Sequence, residues 1–352
     1  MVHHRESSEA GAHTDSFHSM LANATEILAC PACESRLLVT EHSLTCSSCQ
    51  KSYRVDHGIP QLFLPTESDP SRKDFTDIVS AFYEQNPFPN YESIDSRASL
   101  VEKAREGIFG KALDTAIGEN ARILEAGCGT GQLSNFLGLC AGRQVFGADL
   151  CMNSLRLAHQ FKVAQSIGNV TFLQMNLFRP AFKAASFNVV ISNGVLHHTA
   201  DPFEGFRSIG RLVRAGGYIV VGLYNKFGRI PLDLRRTVFN ASGGRLIWLD
   251  SRLRDPSLSP PRWHAWFMDQ YRNPHESKHT MDEVLGWFDE TGFEFVNSIP
   301  SSSPFADRDQ PRGLFEATPK GNSFDHLLMQ LGMILKGARE GGFYVMVGRK
   351  LS

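Results

Sequence analysis

The chain has 352 residues, 42% of them apolar, and carries 36 basic against 37 acidic side chains for a formal net charge of −1 at pH 7. That length exceeds one ordinary domain, and no apolar run approaches the ~20 residues that cross a bilayer, which excludes a membrane-spanning helix. The near-neutral balance weighs against a broad cationic surface for nucleic acid. Residues 1–24 are polar, rich in His and Ser, and lack the apolar segment of a secretory signal. They read as a disordered arm, and the protein as cytoplasmic.

Segment 25–66 holds two C-x-x-C pairs, Cys30-Pro-Ala-Cys33 and Cys46-Ser-Ser-Cys49, twelve residues apart. Each pair sets two thiolates at one hairpin tip, and two tips complete a tetrahedral site of four sulfurs. Arg36-Leu-Leu-Val-Thr40 reads as one of the intervening strands. Zn2+ suits this donor set best, with iron the lesser alternative and disulfides the competing explanation. Closed by four protein ligands, the site reads as structural rather than catalytic. With Ile27-Leu-Ala29 before it and the run Tyr53 to Phe63 after it, the segment resembles the small zinc-ribbon proteins that activate methyltransferases. The resemblance implies a ribbon fused to its own catalytic domain. Cys128, Cys140 and Cys151 differ in kind and read as small packing residues.

Segment 67–112 reads as a linker, and its Phe82-Tyr83 followed by Pro87-Phe-Pro89 resembles the N-terminal piece that closes over the cofactor in related methyltransferases. Phe75, Ile78, Val79 and Phe82 fall on one face of a helix over 75–84. Asn86-Pro-Phe-Pro-Asn-Tyr91 cannot be helical, because each proline restricts the residue before it, and reads as a rigid extended strap. Tyr83 and Tyr91 are candidates for ligand contact, with simple packing the equal alternative.

From 113 onward, short apolar runs alternate with helical segments. Ile123-Leu-Glu-Ala ends in Gly127-Cys-Gly129-Thr-Gly131, a strand, a tight loop and a helix start. A dinucleotide fingerprint would need glycine at Gln132. Gln144-Val-Phe-Gly-Ala-Asp149 is a second strand ending in an acid placed to accept ribose hydroxyls, although an acid at a helix start is also favourable. Val170–Met175, residues 187–192 and residues 218–223 read as three further strands, the last preceded by the turn Ala215-Gly-Gly217. Phe293–Ile299 and residues 343–349 bring the expected sheet to seven strands, mostly parallel, doubly wound and covered on both faces.

Taken in order, these motifs over 113–352 resemble class I S-adenosylmethionine-dependent methyltransferases. The resemblance implies that Glu125, Gly127, Gly129 and Gly131 surround the methionine part of S-adenosyl-L-methionine and that Asp149 holds its ribose. It implies that Asn176 and Leu177 contact the adenine, and that Ser192 and Asn193 line the transfer site with Tyr83 from the covering segment. The family often has Asp where Asn176 stands; an Asn carbonyl still accepts from the adenine amine, but its amide must be held in the right orientation.

Two insertions, 226–279 and 300–342, interrupt this domain. Over 226–272 nine basic residues face four acids, a local +5, which suggests an anionic acceptor; cations paired with acids elsewhere are the alternative. Thr280 and Glu283 form a capping box for a helix over 281–289, and a second amphipathic helix over 324–335 reads as a cover for the site or a homodimer contact. Methyl transfer asks chiefly for in-line positioning, with a base where the nucleophile carries a proton. His197 and His198, just after the fourth strand, are the first candidates for that base, and His275 and His279 the second. A small-molecule or lipid-type acceptor is the leading reading. RNA methylation is the alternative, supported by the basic insertion and by a ribbon ahead of a methyltransferase domain, an order found in bacterial rRNA guanine methylators. A non-catalytic cofactor-binding protein is the residual.

Overall fold

The computed structural model describes residues 24–40, 42–65, 76–89, 91–250, 253–256, 259–304 and 313–352; the expected arm over 1–24 lies outside them except for Ala24. Strands β1 (Leu37–Val39), β2 (Ser43–Cys46), β3 (Ser52–Asp56) and β4 (Ile59–Leu62) come first, followed by helices α1 (Thr76–Gln85), α2 (Arg97–Glu106) and α3 (Ile108–Ala116). The alternating part then runs β5 (Arg122–Ala126), α4 (Gln132–Leu137), β6 (Gln144–Asp149), α5 (Met152–Ala164), β7 (Val170–Met175), β8 (Phe187–Asn193), α6 (Pro202–Gly210) and β9 (Val213–Tyr224). After it come α7 (Ile230–Ala241), α8 (Pro260–Phe267) continuing into a π-helical turn over Met268–Arg272, α9 (Met281–Thr291), β10 (Phe293–Ile299), α10 (Ser323–Glu340) and β11 (Phe343–Lys350).

The strands form one mixed sheet in the order β1-β2-β3-β4-β7-β6-β5-β8-β9-β11-β10. The seven expected strands, β5 to β11, are all present, but the sheet is eleven-stranded, not seven. The ribbon is no separate body: β4 pairs in parallel with β7, setting Gln61 opposite Gln174 and Leu62 opposite Met175. An unpaired β7 would expose a row of backbone donors and acceptors, and β4 covers that edge. Antiparallel β11 closes the other side between β9 and β10. The turn expected at Ala215-Gly-Gly217 lies inside β9, where pairing with β8 jumps from Phe187–Val213 to Val189–Tyr218. The extra residues bulge without ending the strand.

Side chains alternate across the parallel strands. Ile123, Val145, Val189 and Ile191 pack with Leu113, Phe136 and Leu155 on one face. Leu124, Phe146, Phe187 and Val190 pack with Phe206 and Phe288 on the other, as a sheet buried on both sides requires. The ribbon joins the second core through Leu28, Leu37 and Tyr53. There Phe182 meets Phe146 and Phe187 edge-on at 5.4 and 4.9 Å, and Ala29 donates its amide to Ala181 at 2.9 Å.

Of the helix face expected in the linker, Phe75 lies outside the described residues and Ile78 is exposed. Val79 of that face lines the cavity together with Tyr83 one turn on, and Phe82 is half-buried. The capping box of α9 is formed, with Thr280 accepting from the Glu283 amide and Glu283 reaching back to the Thr280 amide. No helix among the described residues is long and apolar enough to cross a membrane.

Candidate active site and metal centre

Parallel strands that end together leave a crevice at their carboxyl ends. Here it is a cavity of about 1160 Å³, reached by residues after β5, β6, β7 and β8 and roofed by α1, α3 and the insertions. Such a volume exceeds the ~300–1,000 Å³ of an ordinary ligand site.

The glycine loop forms one wall. Gly129 has φ +52, and a Cβ on it would sit 2.4 Å from the Phe88 carbonyl oxygen, so the strap lies directly over the loop. Phe88 and Pro89 line the cavity. Tyr91 does not: it stacks on Phe161 at 4.7 Å and donates to the Thr130 carbonyl at 2.9 Å, the packing role. Gly131 also turns away. It opens α4 in the left-handed region, and a Cβ there would strike Phe172 and Ala158; its smallness serves helix-on-sheet packing.

Asp149 ends β6 and accepts from the amides of Gly129 at 2.7 Å and Cys151 at 2.9 Å. Its carboxylate therefore fixes the loop while its remaining lone pairs face the cavity. Glu125, buried at the end of β5, accepts from the Ser134 hydroxyl at 2.5 Å. Burial pushes its carboxyl up to about 8 against the donation from Ser134. The Asn176 amide is held in one orientation, Nδ2 donating to the Leu64 carbonyl and Oδ1 accepting from the Phe178 amide. Leu64 follows β4, so the ribbon sets this residue. Leu177 lines the cavity beside it. Asn193 lines it too, and its Oδ1 is buried with no hydrogen-bond partner. Ser192 Oγ is similarly buried and unpartnered.

The four candidate histidines separate. His198 lines the cavity; its Nδ1 lies 2.7 Å from the His275 carbonyl oxygen. That contact places the proton on Nδ1 and leaves Nε2 as the lone-pair nitrogen. Burial holds its pKa below the ordinary value, opposed by the charge of Asp269. His197 packs 4.1 Å from the Tyr224 ring, outside the cavity wall, with neither ring nitrogen hydrogen-bonded. Both second candidates are engaged away from the cavity. His275 Nε2 meets the Thr199 carbonyl, and His279 spans Glu283 at 2.7 Å and Ser277 at 2.8 Å.

A cluster that sequence reasoning missed stands beside His198. Asp269, from the π-helical turn, accepts from Tyr83 at 3.2 Å, from Gln270 at 2.6 Å and more loosely from Tyr224 at 3.5 Å. Burial, reinforced by the Asp269 charge, pushes both tyrosine hydroxyls up. The Arg229 guanidinium covers the other side of the Tyr224 ring at 3.5 Å. Asp269 sits in an aromatic run with no spacing motif, so only its placement in space marks it.

Four of the nine cations counted over 226–272 are held by acids among the described residues. Arg229 and Arg236 share Glu276, Arg235 pairs with Asp250 at 3.3 Å, Lys278 with Asp233 at 2.6 Å, and Arg262 with Glu92 at 3.9 Å. Glu276 falls just beyond the counted stretch and neutralises two of its arginines, which lowers the local excess of positive charge.

At the far edge, Cys30, Cys33, Cys46 and Cys49 bring their sulfurs within 4.8 Å of one another. Cys33 and Cys46 approach to 3.4 Å and Cys30 and Cys49 to 3.7 Å, far beyond a disulfide bond of ~2.05 Å. Amides of Ala32, Ser48 and Cys49 point at the sulfurs, which suits thiolates. Tetrahedral bonds of ~2.3 Å need sulfurs roughly this far apart.

Two families of known proteins match parts of the chain. Residues 124–221 match the family "Methyltransferase domain" and residues 24–58 the family "Trm112p-like protein". The chain thus joins a Trm112p-like ribbon to a methyltransferase domain. An uncharacterised protein of Synechococcus sp. is 25% identical over 273 residues, 68% of this chain and 63% of that protein. A ubiquinone biosynthesis O-methyltransferase of Vibrio parahaemolyticus is 26% identical over 162 residues, 45% of this chain and 64% of that enzyme. The chain therefore spans less than two thirds of the length of these relatives. Among solved structures, a complex of the Haloferax volcanii Trm112 methyltransferase activator with a methyltransferase matches at 15% identity, covering 73% of this chain and 97% of that one, with a TM-score of 0.42. A geranyl diphosphate methyltransferase matches at 14% identity, covering 79% and 99%, with a TM-score of 0.47.

Proposed function

We propose that this chain is a methyltransferase that moves the methyl group of S-adenosylmethionine to a small, largely apolar acceptor, with a structural zinc ion held by Cys30, Cys33, Cys46 and Cys49. The observation that carries the reading is one cavity in which the glycine loop, Asp149 and Asn193 meet His198 and Asp269. These residues fit the cofactor. Gly127 and Gly129 hold the loop backbone at the cavity wall with positive φ, which glycine adopts freely, and Asp149 offers carboxylate oxygens to two hydroxyls. Asn176 and Leu177 bound the adenine end. The sulfonium supplies an already activated methyl group.

What the protein adds is position and a proton acceptor. His198 Nε2 takes the proton of an acceptor hydroxyl, and the depressed pKa keeps the ring neutral and ready at pH 7. Tyr83, Tyr224 and Asp269 orient the acceptor through hydroxyl and carboxylate. The O-methyltransferase relatives favour a hydroxyl nucleophile on a small molecule. With Arg229, Arg235, Arg236 and Arg262 paired internally, local charge lends an anionic acceptor or RNA less support than the sequence count suggests.

Labelled methyl transfer from S-adenosylmethionine into separated lipid, RNA and protein extracts tests this. Label in the lipid or small-molecule fraction is expected. Label in RNA would replace the acceptor assignment, and a protein that binds a nicotinamide dinucleotide but not S-adenosylmethionine would end the reading altogether.

A further inference from the structure

Helix α10 has two unlike faces. His326, Gln330 and Met333 are buried, and Met333 forms part of the cavity wall. On the opposite face Phe324, Leu327, Leu328, Leu331 and Leu335 are all exposed, Leu335 by 86%. The spacing is that of one helical stripe, and no charged side chain interrupts it among the described residues. Helix α7 packs against α10 and shows a stripe of its own in Ile230, Leu234 and Val238, with Leu234 62% exposed. Eight large apolar side chains so exposed present at least the ~300–600 Å² of the largest patch on an ordinary monomer, a size that marks an interaction site.

We propose that the outer faces of α7 and α10 seat the protein on an anionic lipid surface. Charge selects this occupant. Just beyond α7, in a stretch whose 3-10 turn over Ile247–Leu249 packs on that helix, Trp248 is exposed. Three residues before it Arg245 is exposed, and Arg254, next to the exposed Asp255, follows six residues after it; unlike Arg229, Arg235 and Arg236 of the same insertion, neither has an acid within ion-pair distance among the described residues. Apolar stripes flanked by an exposed Trp and free cations are what an interfacial helix presents to anionic headgroups. A second copy docked through the same face would bring these cations toward their own equivalents, which is repulsive. Because α10 is also a wall of the cavity, the surface lies one helix thickness from the site. The inference is independent of which reaction that site performs.

Flotation of the full-length protein with vesicles of phosphatidylcholine alone, and of phosphatidylcholine mixed with phosphatidylglycerol, decides the matter. Binding to the mixed vesicles that falls with added salt is expected. Leu331→Glu with Leu335→Glu should weaken it at least tenfold, and Arg245→Glu with Arg254→Glu should remove the preference for anionic lipid. All four positions are exposed, so unchanged circular-dichroism melting serves as the folding control. Failure to float with either vesicle overturns the proposal, as does equal binding to both or binding that the Glu variants leave intact. A lipid-free dimer in light scattering that Leu335→Glu dissociates would assign the face to a second copy instead.

Discussion

Asp149 holds the Gly129 amide and, in the function proposed above, a ligand as well, so its substitution should register both. Removing the carboxylate deletes hydrogen bonds to a ligand and frees the Gly129 amide. Asp149→Ala is therefore expected to weaken S-adenosylmethionine binding by about 1–3 kcal/mol. Gly129→Val should do more harm, because its Cβ would meet the Phe88 carbonyl at 2.4 Å and the φ of +52 is unfavourable for a β-branched residue. Titration calorimetry reads both, and a valine variant that binds as the parent does would contradict the strap's position over the loop. Among the histidines, His198→Gln should lower kcat by ~10²–10⁴-fold, the usual loss with a general base, while His279→Gln should cost stability and leave kcat alone. The sign with pH follows from the depressed His198 pKa: the neutral, active ring persists below pH 6.5, so activity falls only in more acid solution. Two adjacent imidazoles are equivalent on paper. Only the turn Leu196–His198, which aims one at the cavity and buries the other against Tyr224, tells them apart.

The ribbon reaches the cavity wall through an element: β4 pairs with β7 and positions Asn176. Two paired residues join β4 to β7, and Leu64 just beyond accepts from Asn176. Stripping the metal with a chelator, or Cys46→Ser, is expected to release one zinc per chain and also to weaken S-adenosylmethionine binding. A ribbon hinged on a free linker would lose its metal with no such effect. Elemental analysis paired with calorimetry separates these outcomes, and loss of zinc at constant cofactor affinity would count against the coupling. The sequence foreshadows the two halves unequally. Strands such as β6 and β7 are legible because each is a bounded apolar run, and the cysteine spacing announces the metal site. The parallel pairing of Gln61 and Leu62 with Gln174 and Met175 is invisible, since it depends on which edge the folded sheet leaves open more than a hundred residues later. The strap is half legible: its prolines exclude a helix, but they do not say that Phe88 will face the cavity and Tyr91 the core.

Across the whole molecule, charge is arranged to hold the insertion down. Glu276 is nearly inaccessible between Arg229 and Arg236, and against the cost of burial their hydrogen bonds and charges hold its carboxyl down at about 2. A carboxyl whose folded pKa lies below its ordinary 4.5 contributes stability that is complete above about pH 4.5 and lost as pH falls toward 2. The parent should therefore lose stability through that acid window, and Glu276→Gln should be flatter there. At neutral pH the same variant should be less stable by ~3–5 kcal/mol, because it leaves the Arg229 charge buried without a full counter-charge. Arg235→Ala with Arg236→Ala should likewise lower the urea midpoint while the KM for the acceptor stays near the parent value, since both side chains point at Asp250 and Glu276 rather than into the cavity. Urea unfolding at several pH values measures the first effect and steady-state kinetics the second. A double arginine variant with parental stability and a raised KM would show that these side chains reach the acceptor after all, restoring the anionic substrate that the local sequence charge suggests.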